Sequence, residues 1–138
     1  MMVKLRTMRH HLIGPTTWTE AGDRRVTLVG RILRRVHLDE LPQAWSILRG
    51  QMSLIGPRPE QPQYVERLRT EIDFYNTRLT VRPGLTGWAQ VNCGYGSSVD
   101  DARVKLSYDL YYVKHQSLSL DLIILARTVM AVLSLSGR

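Results

Sequence analysis

At 138 residues the chain is long enough for one domain with a buried core, and 43% hydrophobic with 22% charged content excludes a disordered polymer. The formal charge of +7 points to an anionic partner: nucleic acid, anionic lipid or a phosphorylated substrate. The single cysteine, Cys93, excludes an internal disulfide and a cysteine-clustered metal site, and reads as an incidental thiol in a reducing setting.

Residues 1–22 are polar and broken by Gly14-Pro15 and Gly22. His10 and His11 form a solvated pair with no second ligand cluster, and no apolar run of signal-peptide length follows the basic start. Spacing predicts a helix over 26–36 that buries Val29, Ile32, Leu33 and Val36 and turns Arg31, Arg34 and Arg35 to the opposite face. A second helix is expected over 40–49, with Asp39 as N-cap, Pro42 in the first turn and Gly50 as its stop. Leu41, Ala44, Trp45 and Leu48 then share an apolar face suited to a core.

Ser53 to Glu60 reads as a loop stiffened by Pro57 and Pro59, followed by an amphipathic helix over 62–73 carrying Val65, Leu68 and Ile72. Phe74 to Arg82 is ambiguous, with Leu79 and Val81 alternating as in an edge strand. Pro83-Gly84 reads as a turn and Leu85 to Val91 as a short extended piece. Ser98 or Asp100 caps a helix over 101–113, whose Tyr108, Tyr111 and Tyr112 suit core packing or a membrane–water interface. A last helix over 119–135 is interrupted by Asp121 and Arg127, too short in its uncharged runs to span a bilayer. The expectation is one domain, 1–138, of α+β class and mainly helical, with a small extended element.

Asp39 and Glu40 carry two readings. As local structure they are a cap and a first-turn acid favoured by the helix dipole. Their surroundings support a chemical role, because Arg31, Arg34 and Arg35 precede them and Arg58 follows. Carboxylates between guanidinium groups suit a magnesium ion and phosphates held together. Adjacent helical side chains point about 100° apart, so one carboxylate can attack while its neighbour serves the metal. Arg82 to Asn92 is likewise double: turns around a packed Trp88, or a loop in which Arg82, Gln90 and Asn92 bind a nucleotide or sugar.

The stretch from Leu38 to Glu60 resembles the catalytic signature of the bacterial sugar transferases, the monotopic polyprenyl-phosphate phosphoglycosyl transferases. Lys4-Leu5-Arg6-Thr7-Met8, Asp23 to Thr27, Arg82 to Asn92, Tyr108 to Val113 and Ser117 to Leu122 resemble further family steps in the expected order. The resemblance implies transfer of a sugar 1-phosphate, a hexose 1-phosphate from the likeness of 95–102 to exopolysaccharide-type members, from a UDP-sugar to undecaprenyl phosphate. It implies that Asp39 is the nucleophile of a covalent aspartyl intermediate and that Glu40, with Asp39, holds Mg2+. Arg34 and Arg58 would then be the phosphate-binding guanidinium groups. Such transfer starts exopolysaccharide or O-antigen-type glycan assembly at the cytoplasmic face of the bacterial inner membrane.

Family members carry a membrane-entering helix before the step at Lys4, so this chain reads as the C-terminal catalytic portion, with that helix absent or supplied by a separate polypeptide. Peripheral association with an anionic membrane surface through Arg31, Arg34 and Arg35 is expected, stripped by salt. Two rival classes stand beside the enzyme. One is a non-catalytic remnant or accessory subunit. The other is a basic nucleic-acid-binding module, for which the chain has no signature and few aromatic residues.

Overall fold

In the computed structural model, which describes residues 5–8, 25–35, 38–94, 96 and 98–134, the chain opens with α1 (Leu28–Arg35), a 3₁₀ turn (Leu38–Glu40) and α2 (Pro42–Leu48). β1 (Ser53–Ile55), α3 (Pro62–Glu71) and a second 3₁₀ turn (Tyr75–Thr80) follow. β2 (Gly84–Thr86), α4 (Trp88–Asn92), α5 (Val99–His115) and α6 (Leu118–Leu133) complete it. The α+β, mainly helical class expected from sequence is what is seen. The extended element is a parallel pair, Ser53 opposite Gly84 and Ile55 opposite Thr86.

Helix α5 is the shared spine of two apolar clusters. Its Leu106 packs with Tyr64, Leu68, Ile72 and Tyr75. Its Tyr112 packs with Ile55 and with Leu120 and Ile124 of α6. Full burial of a side chain such as Ile124 contributes about 1.5–3 kcal/mol. The helix starts at Val99, two residues before the expected start, and Ser98 is the cap of the two offered: Ser98 Oγ accepts from the Asp101 N–H at 3.0 Å while the Asp101 carboxylate accepts from the Ser98 N–H at 3.0 Å. Ser117 Oγ accepts from the Leu120 N–H at 3.3 Å and opens α6.

Several expectations are corrected. Residues 75–80 wind into 3₁₀ geometry instead of an edge strand, entered through Phe74 in the left-handed region (φ 60°). Pro83-Gly84 is no turn: the Pro83 carbonyl accepts from the Ser53 N–H at 2.8 Å and Gly84 already belongs to β2. Of the extended piece expected over Leu85 to Val91 only Leu85 and Thr86 are strand, in β2, and Trp88–Asn92 is helical. Asp39 does not cap α2. The α-helix starts at Pro42, which sets its own φ, and Asp39 lies upstream in the 3₁₀ turn.

The largest correction concerns orientation. Leu28, Val29 and Ile32 of α1, and Leu41, Trp45 and Leu48 at α2, are 59–80% exposed. Of the expected core faces, Val29 and Ile32 of α1 and Leu41, Ala44, Trp45 and Leu48 at α2 point outward, while Leu33 is partly buried. What turns inward is polar: Thr7, Asp39, Gln43 and Ser46 are buried, and Arg34 Nε donates to Thr7 Oγ1 at 2.8 Å. Of the expected arginine face, Arg31 is exposed and Arg34 is partly buried. The expectations for Val36 and the His10–His11 pair lie outside the described residues, and nothing is described of the Arg35 side chain. No helix among the described residues is long and apolar enough to cross a membrane.

The ladder depends on backbones in near contact. A Cβ on Gly84 would meet Gly56 N at 2.1 Å and Gly56 Cα at 2.6 Å. Gly84→Ala must therefore push the strands apart, with an expected loss of about 1–3 kcal/mol, the usual scale of overpacking. Urea midpoints measure it, and an unshifted midpoint overturns the close-approach requirement.

Candidate functional site

The site is assembled around the 3₁₀ turn Leu38–Glu40, against which α1 packs. Residues 5–8 brace it from below. The Leu5 N–H donates to the Asp39 carbonyl at 3.0 Å, and the Thr7 carbonyl accepts from the Thr27 N–H at 3.0 Å. Met8 bridges Val26 in antiparallel fashion. Gly30 lets α1 lie on this segment, since a Cβ there would fall 2.2 Å from the Thr7 carbonyl oxygen. Arg34, bonded to Thr7, is thereby tied to the stretch that also holds the Asp39 backbone.

The two adjacent carboxylates sit in different surroundings. Glu40 accepts from Arg58 Nη2 in a partly buried ion pair. Asp39 is 7% exposed, and its carboxylate makes no hydrogen bond or ion pair among the described residues. One acid is held by a guanidinium and the other has no such partner among the described residues. Among the described residues no group of three His, Cys, Asp or Glu converges, so a cation here would have the Asp39–Glu40 pair as its protein ligands.

Arg58 is itself fixed from behind. Its carbonyl accepts from Arg78 Nη2 at 2.7 Å. Arg78 also pairs with Asp109 at 2.8 Å and donates to the Tyr75 hydroxyl at 2.9 Å. Arg78 and Asp109 are both buried, and burial pushes the Asp109 carboxyl up to about 6 against the pull of Arg78. Burial likewise raises the Tyr75 phenol, keeping it protonated.

Of the residues singled out from sequence, the structure brings Asp39, Glu40, Arg34 and Arg58 together. Arg82 reaches this region by its backbone, its carbonyl lying beside Gly56 two residues before Arg58, with its side chain exposed. Gln90 and Asn92 bond within their own surroundings, although Gln90 Oε1 is buried without a partner among the described residues. Gln90 Nε2 donates to the Leu85 carbonyl at 3.1 Å, and Asn92 donates to the Trp88 carbonyl at 2.8 Å while accepting from Arg127. Arg127 in turn lies over the Trp88 ring, which stacks on Tyr111. Sequence reasoning missed Arg78, Asp109 and Gln43. Gln43 had a usable signal: a polar side chain four residues after Asp39, which with Ser46 interrupts the apolar run of α2.

A family profile described as bacterial sugar transferase matches residues 1–135. The chain is 49% identical over 117 residues to the UDP-N-acetylgalactosamine-undecaprenyl-phosphate N-acetylgalactosaminephosphotransferase of Aeromonas hydrophila, covering 85% of this chain and 28% of that one. It is 42% identical over 137 residues to the UDP-glucose:undecaprenyl-phosphate glucose-1-phosphate transferase of Xanthomonas campestris pv. campestris, covering 96% of this chain and 28% of that one. A protein of the same name from Caulobacter vibrioides is 43% identical over 136 residues, covering 96% of this chain and 51% of that one. The chain thus spans between 28% and 51% of the length of these relatives.

The raised Asp109 value has a definite sign. A carboxylate in the unfolded chain titrates near ~3.9, so the folded chain binds this proton more readily. The stability Asp109 contributes is present below that value and lost as pH rises through about 6. Asp109→Asn fixes the neutral form. From about pH 4 to about pH 7 the unsubstituted protein is expected to lose stability relative to this variant, read from paired urea midpoints. A constant difference between the two overturns the assignment.

Proposed function

The chain belongs to the bacterial sugar transferase family, and from that premise we propose that it transfers a sugar phosphate from a UDP-sugar to undecaprenyl phosphate, with UMP released. The observation that carries this reading is the asymmetry of the carboxylate pair, Asp39 unengaged beside a Glu40 held by Arg58.

In the proposed reaction an Asp39 carboxylate oxygen attacks the sugar-bearing phosphorus of the diphosphate. The bond from that phosphorus to the bridging oxygen breaks, and UMP leaves with the electron pair. A phosphate oxygen of the lipid then attacks the same phosphorus, the bond to Asp39 breaks, and the product is a lipid diphosphate sugar. Two displacements replace one difficult exchange, and an ionised carboxylate needs no base. Arg34 and Arg58 would supply positive charge to the phosphoryl oxygens. Two adjacent carboxylates fit Mg2+, which completes its shell with water and substrate phosphate and is not caged by protein alone. Glu40 and Asp39 would hold it, and when bound it offsets the negative charge of the diphosphate.

The same reading gives the outward apolar faces of α1 and α2 a task. A lipid-linked acceptor lies in a bilayer, and Leu41, Trp45 and Leu48 would rest against it while the polar inner face keeps the charged chemistry away from hydrocarbon. The hold is then chiefly apolar, not the salt-labile arginine attraction read from sequence.

Two measurements test these statements. Asparagine is isosteric with aspartate but attacks phosphorus poorly, so Asp39→Asn is expected to lose UMP release from UDP-sugar and polyprenyl phosphate while its far-ultraviolet spectrum stays unchanged. Release at the unsubstituted rate rules out Asp39 as nucleophile. Burying one large apolar side chain is worth about 1.5–3 kcal/mol, so Trp45→Ser with Leu48→Ser should weaken co-sedimentation with phospholipid vesicles at least about tenfold. Unaltered binding, with release by high salt alone, overturns the apolar docking.

A further inference from the structure

Gln43 occupies a place that its own chemistry makes costly. It is 1% exposed on α2, four residues beyond Asp39, which is itself buried in the preceding 3₁₀ turn. Its Nε2 is buried without a hydrogen-bond partner among the described residues. Apolar side chains sit close by in sequence, yet Leu41, Trp45 and Leu48 are the ones left outside. Hydrophobic burial alone would have put them in and the carboxamide out. Buried polar groups without partners are rare, and a functional contact is one of the explanations for keeping one; Arg78 Nε and Gln90 Oε1 share the condition, but Gln43 is the one four residues from Asp39.

We propose that Gln43 is a substrate-contacting residue: its Nε2 donates a hydrogen bond to a non-bridging oxygen of the phosphoryl group that Asp39 attacks. This rests on the reading of Asp39 given above. The residue type suits the position. A lysine or arginine one turn from Asp39 would pair with the carboxylate and hold it back from attack. A carboxamide brings a donor without a countercharge. The neighbouring cations are also partly committed, Arg58 to Glu40 and the Nε of Arg34 to Thr7, whereas the Gln43 amide, on the helix that follows the turn of Asp39, is an unengaged donor.

Gln43→Met keeps the length of the side chain and deletes the donor. With the protein in lipid nanodiscs containing polyprenyl phosphate, UMP release from a panel of UDP-glucose, UDP-galactose and UDP-N-acetylgalactosamine is expected to fall about 10²–10³-fold, the usual effect of removing one donor from a developing oxyanion. The thermal midpoint is expected to hold or rise, since a buried unpaired donor has gone. UDP, a diphosphate that carries no sugar to transfer, should raise the midpoint of the unsubstituted protein more than that of Gln43→Met. Gln43→Glu, which replaces the donor with an acceptor, should be at least as impaired. A structural amide gives the opposite pattern: a lower midpoint, with unchanged turnover per folded molecule and an unchanged response to UDP. That result overturns the proposal. Asp39→Asn separates the two readings. If it is inactive while Gln43→Met runs at the unsubstituted rate, the Gln43 contact alone fails; if Asp39→Asn turns over, the nucleophile fails and the contact defined by it fails too.

Discussion

A guanidinium buried beside a carboxylate holds the two halves of this chain in one arrangement. Arg78 spends its fork on Asp109 of α5, on the Tyr75 hydroxyl and on the Arg58 carbonyl. Arginine suits this role better than lysine because its donors are fixed in a plane and reach several acceptors at once. The Arg58 side chain then reaches Glu40, so the charge at the turn is set from the core outward. Taking both charges of the Arg78–Asp109 pair out of water is expensive, and the raised Asp109 value shows burial prevailing over attraction. The pair is better understood as fixing geometry than as adding stability.

Much of the fold was legible because periodicity and caps are local. Ser98 and Asp101 announce α5 three residues apart, and the apolar positions of 62–71 and 118–133 give helices close to their expected bounds. Periodicity reports which residues share a face but not which face is buried. Leu41, Trp45 and Leu48 do share one, as read, and it points outward. The assumption that apolar means inside holds for a protein surrounded by water. It does not hold for Leu41, Trp45 and Leu48, and a contiguous exposed apolar face of this kind marks an interaction surface.

At the site, the group formed by Asp39, Glu40, Arg34 and Arg58 was readable from charge pattern and resemblance. Arg78 and Asp109 were not, since their partnership joins residues 31 apart and leaves no local trace. The Arg82 to Asn92 stretch carried two readings, packed turns or ligand contacts, and its side-chain bonds are structural ones. Polar side chains in a glycine-rich run look like ligand contacts, yet those of Gln90 and Asn92 brace their own loop and α6. Amide groups satisfy backbone and substrate with the same atoms, so residue type alone does not tell the two apart.

The parallel pairing of β1 with β2 bears on the order in which this molecule folds. Parallel strands cannot be joined by a hairpin, and here the connection runs from Ile55 to Gly84 through α3 and the second 3₁₀ turn. Closing a loop of about thirty residues costs roughly 3 kcal/mol plus a constant before any ladder bond repays it. Helices α1 and α2 can form by local winding, but Arg58 gains its tether only once that loop has closed and α5 has docked. By this topology the countercharge of Glu40 arrives late in folding. A nascent chain that ends before Asp109 has its carboxylate pair in place without the brace that sets the pair's charge.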